Sequence, residues 1–263
     1  MGSTEKSKTD FGSKVRLSII GGCGSIGLRY VTICRFFGIN YQIFDKSLND
    51  VSEEGFLSHL QSYEPTHVLI ASPTGTHYGY CKELTYQYIP FLCEKPISKS
   101  VEEAEELYRL SRGNGFVVNN WSFLTGAPEF PKEKISHIKY DYYKTGADGI
   151  CWDVCQLLYL SKIAKAKIMA ETTSFVWDVR LNDSIINYRS IEESYSLMLR
   201  AFLENDTKSL WNMEVGLHMT QLAKSLEDKC DGETKGFSWN SSTNKFVQAS
   251  REDLQGVSRK VAS

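Results

Sequence analysis

Long apolar runs are missing from the sequence. No stretch comes near the roughly 18 unbroken apolar residues that a membrane-spanning helix needs, so no transmembrane helix is expected. Residues 1–14, MGSTEKSKTDFGSK, have no apolar signal core and read as a disordered leader. An excess of charge of one sign is missing too. Lys and Arg number 30 against 32 Asp and Glu, a formal charge of -2. That balance argues against broad binding to nucleic acid or to an anionic membrane surface. Paired CxxC motifs are absent. Seven scattered cysteines, Cys23, Cys34, Cys81, Cys93, Cys151, Cys155 and Cys230, read as reduced thiols of a cytoplasmic chain, mostly small core residues. There is no internal repeat and no low-complexity tract. What is there is ordinary globular material: 263 residues, 41% apolar and 24% charged. That length supports one large domain or two smaller ones, each with a core.

The order of elements separates two halves. Apolar runs at 15–20, 40–44, 67–71, 89–94 and 115–119 predict strands, and the segments 26–37, 51–63, 76–88 and 100–113 between them predict helices. Such alternation implies a parallel sheet with helices on both faces and right-handed crossovers. After about residue 120 the pattern changes. Strands are predicted at 135–145, 168–180 and 184–191, with helices at 149–163, 192–204 and 211–228. This order suggests an α+β half with an antiparallel sheet. The last 33 residues are polar, with isolated Phe237, Trp239 and Phe246. A short hairpin is one reading there, and disorder at the very end is the expected one. The expected boundaries are 1–14 for the leader, 15–120 for the doubly wound domain and 121–263 for a shortened α+β domain.

The most informative segment is Gly21-Gly22-Cys23-Gly24-Ser25-Ile26-Gly27. It contains G-x-G-x-x-G at Gly22, Gly24 and Gly27, after a predicted strand and at the start of a predicted helix. That is the context a dinucleotide-binding fingerprint requires. Gly22 permits a tight turn, Gly24 lets backbone approach a pyrophosphate, and Gly27 allows close packing of helix on strand. The helix N-terminus offers free N–H groups and the positive end of a dipole. A plain glycine-rich turn is the competing reading. Asp45 follows Gly27 by 18 residues, at the end of the second predicted strand. Fingerprints of this kind place an acid about 20 positions on, hydrogen-bonded to the ribose hydroxyls. A carboxylate there repels a 2′-phosphate, which favours NAD over NADP. The adjacent cation of Lys46 leaves NADP open, and a strand-end turn residue is the alternative for Asp45.

Residues 71–77 read Ala71-Ser72-Pro73-Thr74-Gly75-Thr76-His77, and 94–96 read Glu94-Lys95-Pro96. With the fingerprint they form three ordered motifs over about 75 residues. Residues 15–120 thereby resemble the Gfo/Idh/MocA family of nicotinamide-dependent oxidoreductases, of which the chain looks like a short, divergent member. That family carries a TP-x-x-x-H stretch after its third strand and EKP after its fourth. Here Ser72 stands where Thr is usual, Pro73 and His77 keep the spacing, and Glu94-Lys95-Pro96 is intact.

The resemblance implies an α/β fold: an N-terminal Rossmann doubly wound parallel sheet, then an α+β domain with a mostly antiparallel sheet. It implies that Ser72, Pro73, Thr74, His77 and Glu94 belong to the cofactor pocket, and that Lys95 lies beside the nicotinamide and the substrate hydroxyl. The peptide before Pro96 is often cis in such proteins. An ammonium at that place can polarise the reacting oxygen, stabilise developing alkoxide or relay its proton. The competing reading of Glu94 and Lys95 is a solvated ion pair of little worth.

Three departures stand out. Many family members carry a D-x-x-x-H-x-x-D-like segment whose His partners the Lys as acid or base. Here the stretch from Asp148 to Leu160 has Cys151 or a neighbour at that place, and Asp153 is the next carboxylate. Asp153 or Asp148 could serve as proton acceptor, or Cys151 as acid/base, or Lys95 or the substrate could supply the proton; His218 on the last predicted helix is a further candidate. Cys151 and Cys155 share a helix face, but two ligands do not make a zinc site and core packing fits them better. The Arg usual before Phe123 is replaced by Ser122, which suggests a neutral or differently charged substrate. Only about 30 residues separate Asn119 from Ile150, so the second sheet is expected to have lost connections or strands.

The expected function is hydride transfer between NAD, or NADP, and a sugar, polyol or nucleotide-sugar. A reductase of a C=N or conjugated substrate on the same scaffold is one alternative. A dinucleotide-binding regulatory protein without turnover is another. The expected partners are a small-molecule substrate and a second copy of the chain, a homo-oligomer formed through the C-terminal sheet. The apolar alternation of Ile138, Tyr140 and Tyr142 suits either a core or such an interface.

Overall fold

The computed structural model describes residues 14–124, 137–141, 167–171, 178–181, 184–185, 190–226, 235–240 and 245–248. Contacts divide the chain into two compact units, Met1–Val118 with Tyr195–Leu217, and Asn119–Ser194 with His218–Ser263. The sequence boundary at 120 assigns the whole remainder to the second half. The contacts instead return Tyr195–Leu217 to the first.

The first unit alternates β1 (Leu17–Ile20), α1 (Ser25–Phe37), β2 (Tyr41–Phe44), α2 (Glu53–Tyr63), β3 (His67–Ile70), α3 (His77–Tyr86), β4 (Phe91–Cys93), α4 (Val101–Leu110) and β5 (Gly115–Val117). Its sheet has the order β10-β5-β4-β3-β1-β2, where β10 is Trp211–Asn212. β1 pairs in parallel with β2 and β3, β3 with β4, and β4 with β5. β1, β3, β4 and β5 are buried at every residue, as strands covered on both faces must be. Only short apolar runs suit such positions. The polar Ser18 is tolerated in β1 because its hydroxyl meets Nε2 of His59 at 2.7 Å. β10 closes the edge in antiparallel register, Trp211 opposite Val117. A two-residue strand has no periodicity, so the sequence reads this stretch as the start of a helix; α7 (Met213–Leu226) follows it directly.

The helix ends differ in a way that matters for function. Ser52 caps α2 by accepting from the N–H of Gly55, and Glu53 and Glu54 occupy its first turn. Ser100 caps α4 from Glu103 N–H, with Glu102 and Glu103 in its first turn. Both are ordinary solutions for orphan N–H groups. α1 begins at Gly24 with no side-chain cap and no acid in its first turn.

The second unit holds α5 (Asn120–Leu124) and a six-stranded sheet, order β12-β11-β7-β6-β8-β9. Its strands are β6 (His137–Asp141), β7 (Lys167–Glu171), β8 (Asp178–Leu181), β9 (Ser184–Ile185), β11 (Lys235–Asn240) and β12 (Lys245–Gln248). Four pairings are antiparallel and β6 with β7 is parallel, so the sheet is mostly antiparallel as expected. The tail that reads mainly as polar sequence forms the β11–β12 hairpin, Trp239 opposite Phe246. α6 (Ile191–Leu203) matches the predicted helix at 192–204. The helix predicted at 149–163 lies outside the described residues. Among the described cysteines, Cys34, Cys81 and Cys93 are buried free thiols and Cys23 is exposed. Burial pushes the Cys34 thiol up to about 12. No described helix is long and apolar enough to cross a membrane.

Candidate functional site

The loop after β1 is shaped by what its glycines forbid. Gly21 takes φ +77°, and a Cβ there would lie 2.6 Å from the Ser72 backbone. The left-handed position therefore falls one residue before Gly22, to which the fingerprint assigns the tight turn. A Cβ on Gly27 would overlap the Gly21 carbonyl oxygen and stand 2.7 Å from Gly22 Cα, so helix and loop touch backbone to backbone. Gly24 differs: the nearest atom to its Cβ position is the Gly21 oxygen at 3.3 Å. Its bare face borders open space.

That space is a crevice of about 650 Å³ at the C-terminal ends of β1, β2 and β3. This is where ligands bind in open α/β sheets. Cys23, Gly24, Ser25 and Ile26 form one wall, Asp45, Lys46 and Ser47 a second, and Ala71, Ser72 and Pro73 a third. Ile20, Gly21, Phe44, Val51, Thr76 and Tyr80 complete it. The uncapped start of α1 opens into it, so N–H groups of the first helical turn are free to receive an anion. The combination of a bare glycine, an uncapped helix and a strand-end carboxylate fits a dinucleotide.

Asp45 is held in place. Its Oδ2 accepts from Cys23 N–H at 3.1 Å, and Oδ1 accepts from Ser47 N–H and Oγ at 3.0 and 2.8 Å. Partial burial raises its pKa, but the Ser47 and Cys23 donors and the Lys46 charge outweigh this and leave the carboxyl below its usual value. An ionised carboxylate thus stands on the crevice wall at the end of β2.

The β4 end lies on the next strand. Lys95–Pro96 is cis. Glu94 is 7% exposed, which removes the reading of a solvated ion pair. Its Oε1 accepts from the Tyr30 hydroxyl at 2.9 Å, and Oε2 from Lys95 N–H at 3.3 Å. Burial raises the Glu94 pKa against the opposing pull of Lys95, the Tyr30 hydrogen bond and His77. Tyr30 is buried, set edge-on to Tyr195 with centroids 5.4 Å apart, and Arg29 stacks on Tyr195 at 4.8 Å. Lys95 is half-buried.

Of the expected cofactor residues, Cys23, Gly24, Ser25, Ile26, Asp45, Lys46, Ser72 and Pro73 line the crevice. Gly22, Gly27, Thr74, His77, Glu94 and Lys95 are not on its wall. Asp148, Cys151 and Asp153 lie outside the described residues. His218 is half-buried on α7, and Trp121 and Ser122 are buried. Among the lining residues outside the expected set are Thr76 and Tyr80. Thr76 immediately precedes α3 and Tyr80 lies in its first turn, a spacing of four that the sequence does carry. Thr76 Oγ1 meets Ser72 Oγ at 2.7 Å and donates to the Pro73 carbonyl at 2.8 Å, fixing that wall.

Comparison with known proteins agrees with this geometry. Residues 19–120 match the GFO_IDH_MocA family model, described as an oxidoreductase family with an NAD-binding Rossmann fold. No curated protein matches the sequence. Among solved structures, a Gfo/Idh/MocA family oxidoreductase from Vibrio cholerae aligns at TM-score 0.61 and 12% identity, over 82% of this chain and 97% of that one. The WlbA (WbpB) dehydrogenase from Thermus thermophilus, in complex with NAD and UDP-GlcNAcA, aligns at 0.58 and 14%, over 81% and 94%. An inositol dehydrogenase homolog from Azotobacter vinelandii, complexed with NAD+, aligns at 0.56 and 11%, over 89% and 97%. At such identities the likeness is one of fold.

Proposed function

We propose that the chain, whose residues 19–120 match the Gfo/Idh/MocA model of NAD-binding oxidoreductases, moves hydride between NAD and a hydroxyl-bearing carbon of a sugar, polyol or nucleotide-sugar. The observation that carries this reading is the crevice where bare Gly24, the uncapped α1 and ionised Asp45 converge. A nicotinamide held in this crevice would supply the hydride acceptor or donor. The chain's residues do the rest. First-turn amides of α1 bind the diphosphate, and Asp45 holds the ribose and repels a 2′-phosphate. Lys95 polarises the substrate oxygen and stabilises charge developing on it. Asp153 or Cys151 takes up the proton. The substrate class is supported by the UDP-GlcNAcA bound to the Thermus protein of like fold and by the inositol dehydrogenase homolog among the neighbours. The second sheet serves self-association, supported by the alternation of Ile138 and Tyr140 in the sequence.

The test is NADH titration by fluorescence, followed by a panel of sugars, polyols and nucleotide-sugars with NAD, read at the NADH absorbance. Saturable NADH binding and turnover of one panel member are expected. Lys95→Ala should retain NADH binding and lose at least about a hundredfold in kcat. A flat NADH titration rejects the reading, and a Lys95→Ala enzyme as fast as the parent rejects the role of Lys95.

A further inference from the structure

His77 is the first residue of α3 and is 1% exposed. Its Nδ1 lies 2.6 Å from the carbonyl oxygen of Pro96, and its Nε2 lies 2.7 Å from that of Ser72. Peptide carbonyls only accept hydrogen bonds, while a neutral imidazole carries one N–H. Either neutral tautomer would set a nitrogen lone pair against an oxygen lone pair at hydrogen-bonding distance. Only the imidazolium donates to both oxygens. A buried charge needs a partner, and Glu94 supplies it. Both Glu94 oxygens accept hydrogen bonds, from Tyr30 and from Lys95 N–H, the pattern of a carboxylate. Besides Glu94, the titratable groups around this cluster are Lys95 and the Cys93 thiol on the β4 side, Cys81 on α3 itself, Tyr30 on α1 with Arg29 and Tyr195 beside it, and the Lys99 ammonium next to Gly75 in the turn before α3.

The two carbonyls belong to different loops. Ser72 follows β3 and lines the crevice; Pro96 follows β4 and adjoins Lys95. We propose that His77 is a positioning residue in cationic form, an imidazolium tie that fastens the crevice wall at Ser72 to the turn carrying Lys95, with Glu94 as its counter-ion. His77 touches no cofactor atom in this role. The inference rests on the cofactor reading above for its consequence, though not for the charge itself. A ring that loses its proton can donate to one carbonyl only, so one loop is released and NADH affinity falls as pH rises.

The test uses the full chain with 15N-labelled histidine. The five histidines are separated by the signal lost in His77→Gln. Both ring nitrogens of His77 should carry protons at neutral pH. Glu94→Gln, which removes the counter-ion, should move the loss of that proton to lower pH. NADH affinity of the parent should drop by about tenfold or more across the His77 titration, and His77→Gln should bind weakly with no such step. A single protonated nitrogen at neutral pH overturns the tie, whatever NADH does. So does a His77 titration unmoved by Glu94→Gln, or a parent NADH affinity that stays constant while His77 deprotonates. If His77 is doubly protonated and responds to Glu94→Gln but the parent binds no NADH, the cofactor reading falls and the charged tie stands.

Discussion

At the residue scale, two carboxylates of the first unit are pushed in opposite directions. Asp45 is half-buried, and its donors outweigh that burial and lower its pKa; Glu94 is buried and its pKa is raised. Glu94 therefore binds a proton more tightly folded than unfolded. In the interval from the ordinary glutamate value up to the folded one, the native state holds more protons, so stability falls as pH rises through it and is level on either side. Glu94→Gln deletes this slope. The melting temperature of the parent minus that of the variant, followed against pH, should decline across that interval; a flat difference would show that burial does not disfavour the carboxylate. Asp45 acts on ligand choice. Asp45→Asn keeps a side chain able to accept but discards the charge that opposes a 2′-phosphate. NADH binding should weaken by about tenfold, and the ratio of NADPH to NADH affinity should rise. Competitive titration of both nucleotides measures this, and an unchanged ratio removes Asp45 from the discrimination.

At the scale of elements, the β1–α1 loop separates folding from binding in neighbouring glycines. A methyl on Gly27 meets the backbone of Gly21 and Gly22, which cannot rotate away. Gly27→Ala should cost about 1–3 kcal/mol, read by urea unfolding. Gly24→Ala meets one atom at 3.3 Å and projects toward the crevice. It should unfold closer to the parent yet weaken NADH binding more than its stability loss explains. Equal effects of both variants on both readouts would sink that division. These turns were legible in the sequence because their requirements are local: a positive φ or a backbone contact demands glycine at a fixed offset. The strands and helices of the first unit were legible for the same reason, since burial on both faces needs unbroken apolar runs. The wiring behind the motif was not. Tyr30 and Glu94 meet across 64 residues, and His77 reaches a carbonyl 19 residues away. Neither partner's identity announces the other. β10 was hidden because a pairing of two residues leaves no periodic trace, and its partner β5 lies far back in the chain.

At the scale of the whole molecule, the first unit is discontinuous in sequence, and that has consequences for how it can be cut. Tyr195–Leu217 supply the buried Tyr195, Met198, Leu199 and Phe202, and β10 covers the edge of β5. Phe202 sets its ring against His67 and Phe116, 5.0 and 6.3 Å between centroids, and Tyr195 meets Tyr30. Each such large side chain contributes about 1.5–3 kcal/mol when buried, so four of them rival the roughly 5–15 kcal/mol that separates folded from unfolded for a typical domain. A chain stopped after Asn120 would keep all three sequence motifs and lose these contacts, leaving apolar surface and an open strand edge. It should aggregate or unfold without cooperativity, while a version that appends residues 195–217 through a flexible linker should regain part of the cooperative transition. Circular dichroism melting and analytical ultracentrifugation of the two fragments decide it. If the shorter fragment melts as cooperatively as the longer and stays monomeric, the motif-bearing segment is a self-sufficient domain and the returning segment is an ornament on its surface.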